Sequence, residues 1–233
     1  MKVWKDKKLT GKYGEIQKAV EKELSCSAHG MDHTMRVYNM ALHIAKSEKN
    51  VNLDILKCAT LLHDIARVKE DDDKTGSICH AEESAKMCVP ILKKLGYNDE
   101  KIEKIVHCIK THRYKTDNRA ETIEAKILFD ADKLDSLGAI VILRAGMWMG
   151  RNGCGIFPKM GLEKYAKFNL VGGKLSGRIK NPSLHNIFYE HEIKAKKLPG
   201  VMHTKAAKKI AKQRFEFVEM FLERVEKEAE GIL

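Results

Sequence analysis

A chain of 233 residues with 43% apolar residues can bury a substantial core, which excludes an intrinsically disordered tail or linker. Aromatics at 6% and only four prolines, set against runs of Ala, Leu, Ile, Lys and Glu, exclude an all-β fold and favour helices. The formal charge of +11 suits an anionic ligand, yet Arg supplies only nine of the 43 cations. A Lys-dominated excess reads as solvated surface rather than as a nucleic-acid footprint.

The N-terminal MKVWKDKKLTGKYGEIQKAVEKEL is charged throughout and lacks the apolar stretch of a secretory signal. Within it, Ile16, Ala19, Val20 and Leu24 mark one face of a short helix. The next helix runs from about Asp32 to Glu48, with Val37, Met40, Ala41 and Ile44 as its stripe. His33 lies one turn before Val37 and so points inward.

Asn52 is placed to cap a helix through Ile55, Leu56, Ala59, Leu62 and Ala66, and LLHDIA sits on it. The acidic EDDDKTGS that follows reads as a solvated loop. A helix over His80–Leu95 ends at Gly96 and is kinked at Pro90. Asn98 caps a further helix, whose stripe Ile102, Ile105, Val106, Ile109 puts His112 on the inner side.

From about Thr122 a mostly apolar helix carries AKILFDADKLDSLGAIVILRAG, in which Asp130, Asp132, Lys133 and Asp135 stand out. Residues 150–200 are Gly-rich and weakly periodic, so loops and short helices are predicted. A last helix from about Thr204 is predicted to bury Phe215, Val218, Phe221, Leu222 and Val225.

No repeat or linker divides the chain. The sequence therefore predicts one all-α domain over 1–233, with its core at about 25–145 and 146–233 as an irregular segment plus a C-terminal helix. The six cysteines form no CxxC pair, which points away from a zinc knuckle or disulfide scaffold and toward a reducing, cytoplasmic setting. No window approaches the ~18 apolar residues of a membrane span, so no membrane partner is expected.

Chemistry enters with His63 and Asp64, a pair set in an apolar helix, where an unpaired carboxylate is costly and a cation offsets that cost. His33 and Asp132 also sit on apolar helical faces, so three helices can send two His and two Asp to one centre. Such a set fits a divalent metal with positions left for water, among Mn²⁺, Fe²⁺, Co²⁺, Ni²⁺, Zn²⁺ and Mg²⁺, with Mn²⁺ favoured.

HGMDHTMRV at 29–37, LLHDIA at 61–66, HAEESA at 80–85, IVHCIKTH at 105–112 and AKILFDADKLDSLGAI at 125–140 follow in an order that resembles the HD superfamily of metal-dependent phosphohydrolases. The stretch from 183 to 222 is similar to the C-terminal segment of its YedJ and pyrophosphohydrolase-like branch. The resemblance implies an HD-type helical bundle and a metal held by His33, His63, Asp64 and Asp132. It also implies hydrolysis of a small phosphorylated substrate, in this branch a nucleotide.

Asp64, His80 and His112 are the catalytic candidates, and Arg36, Lys133 and Arg67 the phosphate contacts. For His80 and His112, phosphate or acid/base work, a second metal and simple packing all stay open. HDIARV lacks the acidic pair of the HDxxED form, which argues against alarmone hydrolysis and leaves the general base unassigned. His29 is a loop residue that could close over substrate, and His185, His191 and His203 read as surface or lid residues.

Phosphomonoester or cyclic-diester cleavage is the nearest enzymatic alternative. A non-catalytic nucleotide- or RNA-binding module is the alternative of another class; nucleic acid is not the favoured partner, and a homo-oligomer is compatible with the sequence.

Overall fold

The computed structural model describes residues 8–24, 30–73, 75, 77–113 and 119–233; His29 lies outside them. Among the described residues the chain is all-α, its only extended pairing being an isolated bridge between Leu170 and Ile179. None of the helices there is long and apolar enough to cross a membrane.

The described residues fall into two compact units, Met1–Asp132 and Lys133–Leu233. In the first, α1 (Gly11–Glu23) packs on α3 (Leu53–Leu62), which also packs on α2 (Met31–Ala45) and α6 (Asp99–Thr111). Between them in sequence come α4 (Arg67–Asp72) and α5 (His80–Lys94), and α5 lies along α6. Ile16, Val20, Val37, Ile44, Leu56, Leu62, Leu92, Ile105 and Ile109 have essentially no exposure and form the core.

The predicted caps hold. Asn52 accepts from the amides of Asp54 and Ile55, and Asn98 from that of Lys101. Gly96, at φ 78, ends α5 in the left-handed conformation, and Tyr97 N donates to Leu92 O at 3.1 Å. Asp54 ties three helices: it accepts from Tyr13 Oη at 2.8 Å and Tyr97 Oη at 2.9 Å and pairs with Lys12 and Lys101.

Three boundaries differ from the sequence reading. α3 stops at Leu62, so His63–Ala66 turn rather than continue a helix, and Ser84 Oγ accepts the Ala66 amide at 3.1 Å. The start of the acidic run is not loop either, because α4 continues through Asp72, with Arg67 bridging to Glu70 and Asp71 one turn on.

The long helix predicted from Thr122 likewise divides, into α7 (Ile123–Leu134) and α8 (Ala139–Arg151). Gly138, at φ 80, makes the break. Glu124 Oε1 accepts the Asn52 amide at 2.6 Å and fixes the start of α7 to that of α3.

In the second unit, α9 (Leu162–Asn169), α10 (Ile187–Ile193) and α11 (Leu198–Val201) alternate with short 3-10 turns, and α12 (Lys205–Ala229) closes the chain. Tyr165 stacks on Tyr189 at 3.7 Å beside Ala166 and Leu170. Of the residues predicted to be buried on α12, Val218 and Leu222 are; Phe215, Phe221 and Val225 are half-buried.

Candidate metal centre

The chemistry-bearing residues of the first unit gather at helix ends. His33 lies in the first turn of α2, His63 follows the last residue of α3, and Asp64 sits in the turn after it. His80 opens α5, His112 follows the last residue of α6, and Asp132 lies near the end of α7. His33, His63, Asp64, His80 and His112 are all at least 95% buried.

Helix ends leave backbone groups unpaired, and the histidines use them. His63 Nδ1 donates to Thr60 O at 2.8 Å, and His112 Nδ1 to Ile109 O at 2.5 Å. Each imidazole therefore carries a proton on Nδ1, and its neutral form presents Nε2 as a lone pair. For His80 the partner is a side chain: Nδ1 donates to Glu70 Oε2 at 2.7 Å.

Asp64 stands between two groups of these nitrogens. Its Oδ2 lies 3.7 Å from His33 Nε2 and 3.8 Å from His63 Nε2, while Oδ1 lies 3.4 Å from His80 Nε2 and 3.5 Å from His112 Nε2. His33–His63–Asp64 and Asp64–His80–His112 each offer donor atoms within 4.8 Å of one another. Asp132 joins the first set through His33, its Oδ1 being 3.4 Å from His33 Nε2.

These residues fit a divalent cation. His63 Nε2 and Asp64 Oδ1 are buried without a hydrogen-bond partner, which is costly unless a bound cation or other polar group satisfies them. Burial pulls the His63 imidazole down to about 4, so it is neutral, as a ligand must be. Burial alone would raise the Asp64 carboxyl, but the imidazoles of His63, His112 and His80 outweigh it and hold it well below the ordinary carboxylate range. Imidazole nitrogens gathered around a buried carboxyl suit first-row metals.

The predicted phosphate contacts are placed less uniformly. Arg36 Nη1 pairs with Asp32 at 2.8 Å, one turn back on α2. Lys133 is buried within α7. Arg67 turns to Glu70 at 2.9 Å and Asp71 at 3.2 Å. His185 and His191, read as surface or lid residues, are instead only 6% exposed, and Tyr165 Oη contacts His185 Nδ1 at 2.7 Å. His203 is exposed.

Glu70 and Arg113 escaped the sequence reading. Glu70 Oε1 accepts from Arg113 Nη1 at 2.9 Å, and burial, which would raise its pKa, is outweighed by His80, Arg67 and Arg113, leaving it at about 2. Its one sequence signal is the spacing of three from Arg67, hidden by the acidic run around it.

The family model for the HD domain matches residues 30–137. YpgQ of Bacillus subtilis is 28% identical over 210 residues, covering 88% of this chain and 87% of YpgQ. A Clostridium beijerinckii protein is 30% identical over 126 residues, covering 54% of this chain and 76% of its own.

A predicted HD superfamily hydrolase from an uncultured Thermotogales bacterium aligns with a TM-score of 0.60 at 26% identity, over 92% of this chain and 91% of the other. An HD-superfamily hydrolase from Bacillus thuringiensis gives 0.64 at 26%, over 94% and 99%. Bacillus subtilis YpgQ in complex with ADP gives 0.62 at 25%, over 93% and 94%.

Proposed function

The chain belongs to the HD superfamily, and from that premise we propose that it is a metal-dependent phosphohydrolase acting on phosphoester or phosphoanhydride bonds of a small substrate, a nucleotide first of all. The observation that carries the proposal is the Asp64 carboxyl, buried between His33 and His63 on one side and His80 and His112 on the other. The ADP complex of YpgQ supports a nucleotide as the substrate class.

In this reading His33, His63, Asp64 and Asp132 hold one metal, and His80 and His112 are a second donor set that shares Asp64. Bound there, the metal would lower the pKa of a water and polarise a phosphoryl oxygen. The protein's own part is orientation: carbonyls and Glu70 fix the imidazoles, and burial keeps His63 neutral. Arg36 and Lys133 remain the proposed contacts to phosphoryl oxygens, while Arg67 is engaged by Glu70.

The test is turnover of nucleoside tri-, di-, mono- and cyclic phosphates and a simple phosphomonoester, with Mn²⁺, Mg²⁺, Co²⁺ and Ni²⁺ in turn. Release of pyrophosphate, phosphate or an opened ring separates the anhydride, monoester and cyclic-diester activities. Loss of activity in Asp64→Ala is expected. No turnover with any metal, while Asp64→Ala binds nucleotide as well as wild type, would overturn the proposal in favour of a binding module. Equal metal content in wild type and His63→Ala would show that the site is elsewhere.

A further inference from the structure

His63 and His112 each follow the last residue of a helix, where the carbonyl three residues back is free to hold Nδ1–H. His80 opens α5, and the start of a helix offers unpaired amides rather than carbonyls. A different acceptor is required, and α4 supplies it: Glu70 Oε2 stands 2.7 Å from His80 Nδ1.

Arg67 Nη1 also approaches His80 Nδ1, at 3.1 Å, and would favour the opposite tautomer if it donated there. Glu70 decides between the two. A carboxylate oxygen 2.7 Å from an unprotonated nitrogen would repel it, and Arg67 Nη1 already has the stronger acceptor in Glu70 Oε2 at 2.9 Å. Arg113 Nη1 grips the other oxygen at 2.9 Å, so the carboxylate is held from both sides.

We propose that Glu70 is the positioning residue of His80, fixing the Nδ1–H tautomer so that Nε2 faces Asp64 and His112 as a bare donor. Arg67 and Arg113 hold the carboxylate in place. The consequence for metal binding rests on the phosphohydrolase reading; the tautomer itself is a property of the metal-free protein. Removing a partner that orients a metal-ligating histidine costs about 10–100-fold in metal affinity.

The tautomers can be read by long-range ¹H–¹⁵N NMR of the imidazoles in the full-length, metal-free protein. Wild type should carry the His80 proton on Nδ1. Glu70→Ala should move it wholly or partly to Nε2 while His63 and His112 stay unchanged, and Glu70→Gln, which keeps an acceptor oxygen, should retain Nδ1–H in part. Mn²⁺ titration should show affinity about 10–100-fold weaker in Glu70→Ala.

If Glu70→Ala does not fold, Glu70→Gln carries the test through the same two readouts. A His80 proton on Nε2 in wild type, or a tautomer unchanged in Glu70→Ala, overturns the proposal. Failure of wild type to bind metal or turn over substrate would instead sink the phosphohydrolase reading and leave the tautomer result standing.

Discussion

His80 and His112 bring their Nε2 atoms to 3.2 Å of one another, with both Nδ1 protons already engaged by Glu70 and by Ile109 O. Two neutral imidazoles in this arrangement set lone pair against lone pair in a buried site. A metal cation between them relieves the repulsion, and the Asp64 carboxyl alongside offers it a further oxygen ligand.

Metal should therefore stabilise the fold as well as serve chemistry. At a free concentration ~100-fold above the dissociation constant, linkage contributes about 2.7 kcal/mol. For a chain of this size that raises Tm by roughly 5–10 °C. Thermal unfolding after chelation and after return of Mn²⁺ measures it, and His80→Ala should keep only part of the gain. Identical melting with and without metal would count against the donor sets.

Acid should weaken the metal-free protein through His63. Its folded pKa is pulled down to about 4 by burial, whereas the unfolded chain protonates near the ordinary value of about 6.5. The folded value being the lower, the stability linked to this group is fully present above about pH 6.5 and is lost as pH falls toward 4. Urea unfolding at a series of pH values checks this. His63→Gln should flatten the slope across that window by up to one proton, about 1.4 kcal/mol per pH unit. Bound metal should fall as pH approaches 4, where the folded imidazole takes up the proton that competes with the metal.

The fold and the centre were legible in the sequence to different depths. His33, His63, His112 and the caps Asn52 and Asn98 were readable because apolar stripes and capping residues are local signals. The turn at His63–Ala66 was not, since the apolar period runs on through Ile65 and Ala66, both buried, after the helix has ended. Glu70 was hidden for another reason: its role depends on Arg113, 43 positions away, and no local pattern encodes that meeting. His185 and His191 were misplaced because their Lys-rich neighbourhood suggests surface, while ring packing with Tyr165 and Phe215 buries them.

Asp54 should act as a structural tie, independent of the metal. Burial would raise its pKa, but Lys12, Tyr13, Tyr97 and Lys101 outweigh it and hold the carboxylate below its ordinary range. Asp54→Ala removes the acceptor from two tyrosine hydroxyls and is expected to cost about 1–3 kcal/mol, or roughly 2–12 °C in Tm. The sign of the pH dependence follows from the lowered value: the contribution is complete above about pH 4, the unfolded value, and fades below it. Comparing wild type with Asp54→Asn by denaturant unfolding from pH 7 to pH 3 tests both; a difference that widens on acidification contradicts the tie.

Gly138 offers a test confined to the second unit. It caps α8 at φ 80 and ψ −159, a conformation that side chains disfavour by about 1–3 kcal/mol. A Cβ placed there would lie 3.0 Å from Arg214 Cγ, and Arg214 is itself anchored by Nη1 donating to Leu134 O at 2.6 Å. Gly96 is a comparison for positive φ alone, with φ 78 and nothing within 4 Å of an added Cβ. Both alanine variants should therefore pay the backbone strain, but only Gly138→Ala also displaces an anchored side chain. Gly138→Ala should melt below Gly96→Ala, while its Mn²⁺ content stays at the wild-type level because the proposed ligands belong to Met1–Asp132. Equal melting of the two variants would show that Arg214 yields freely.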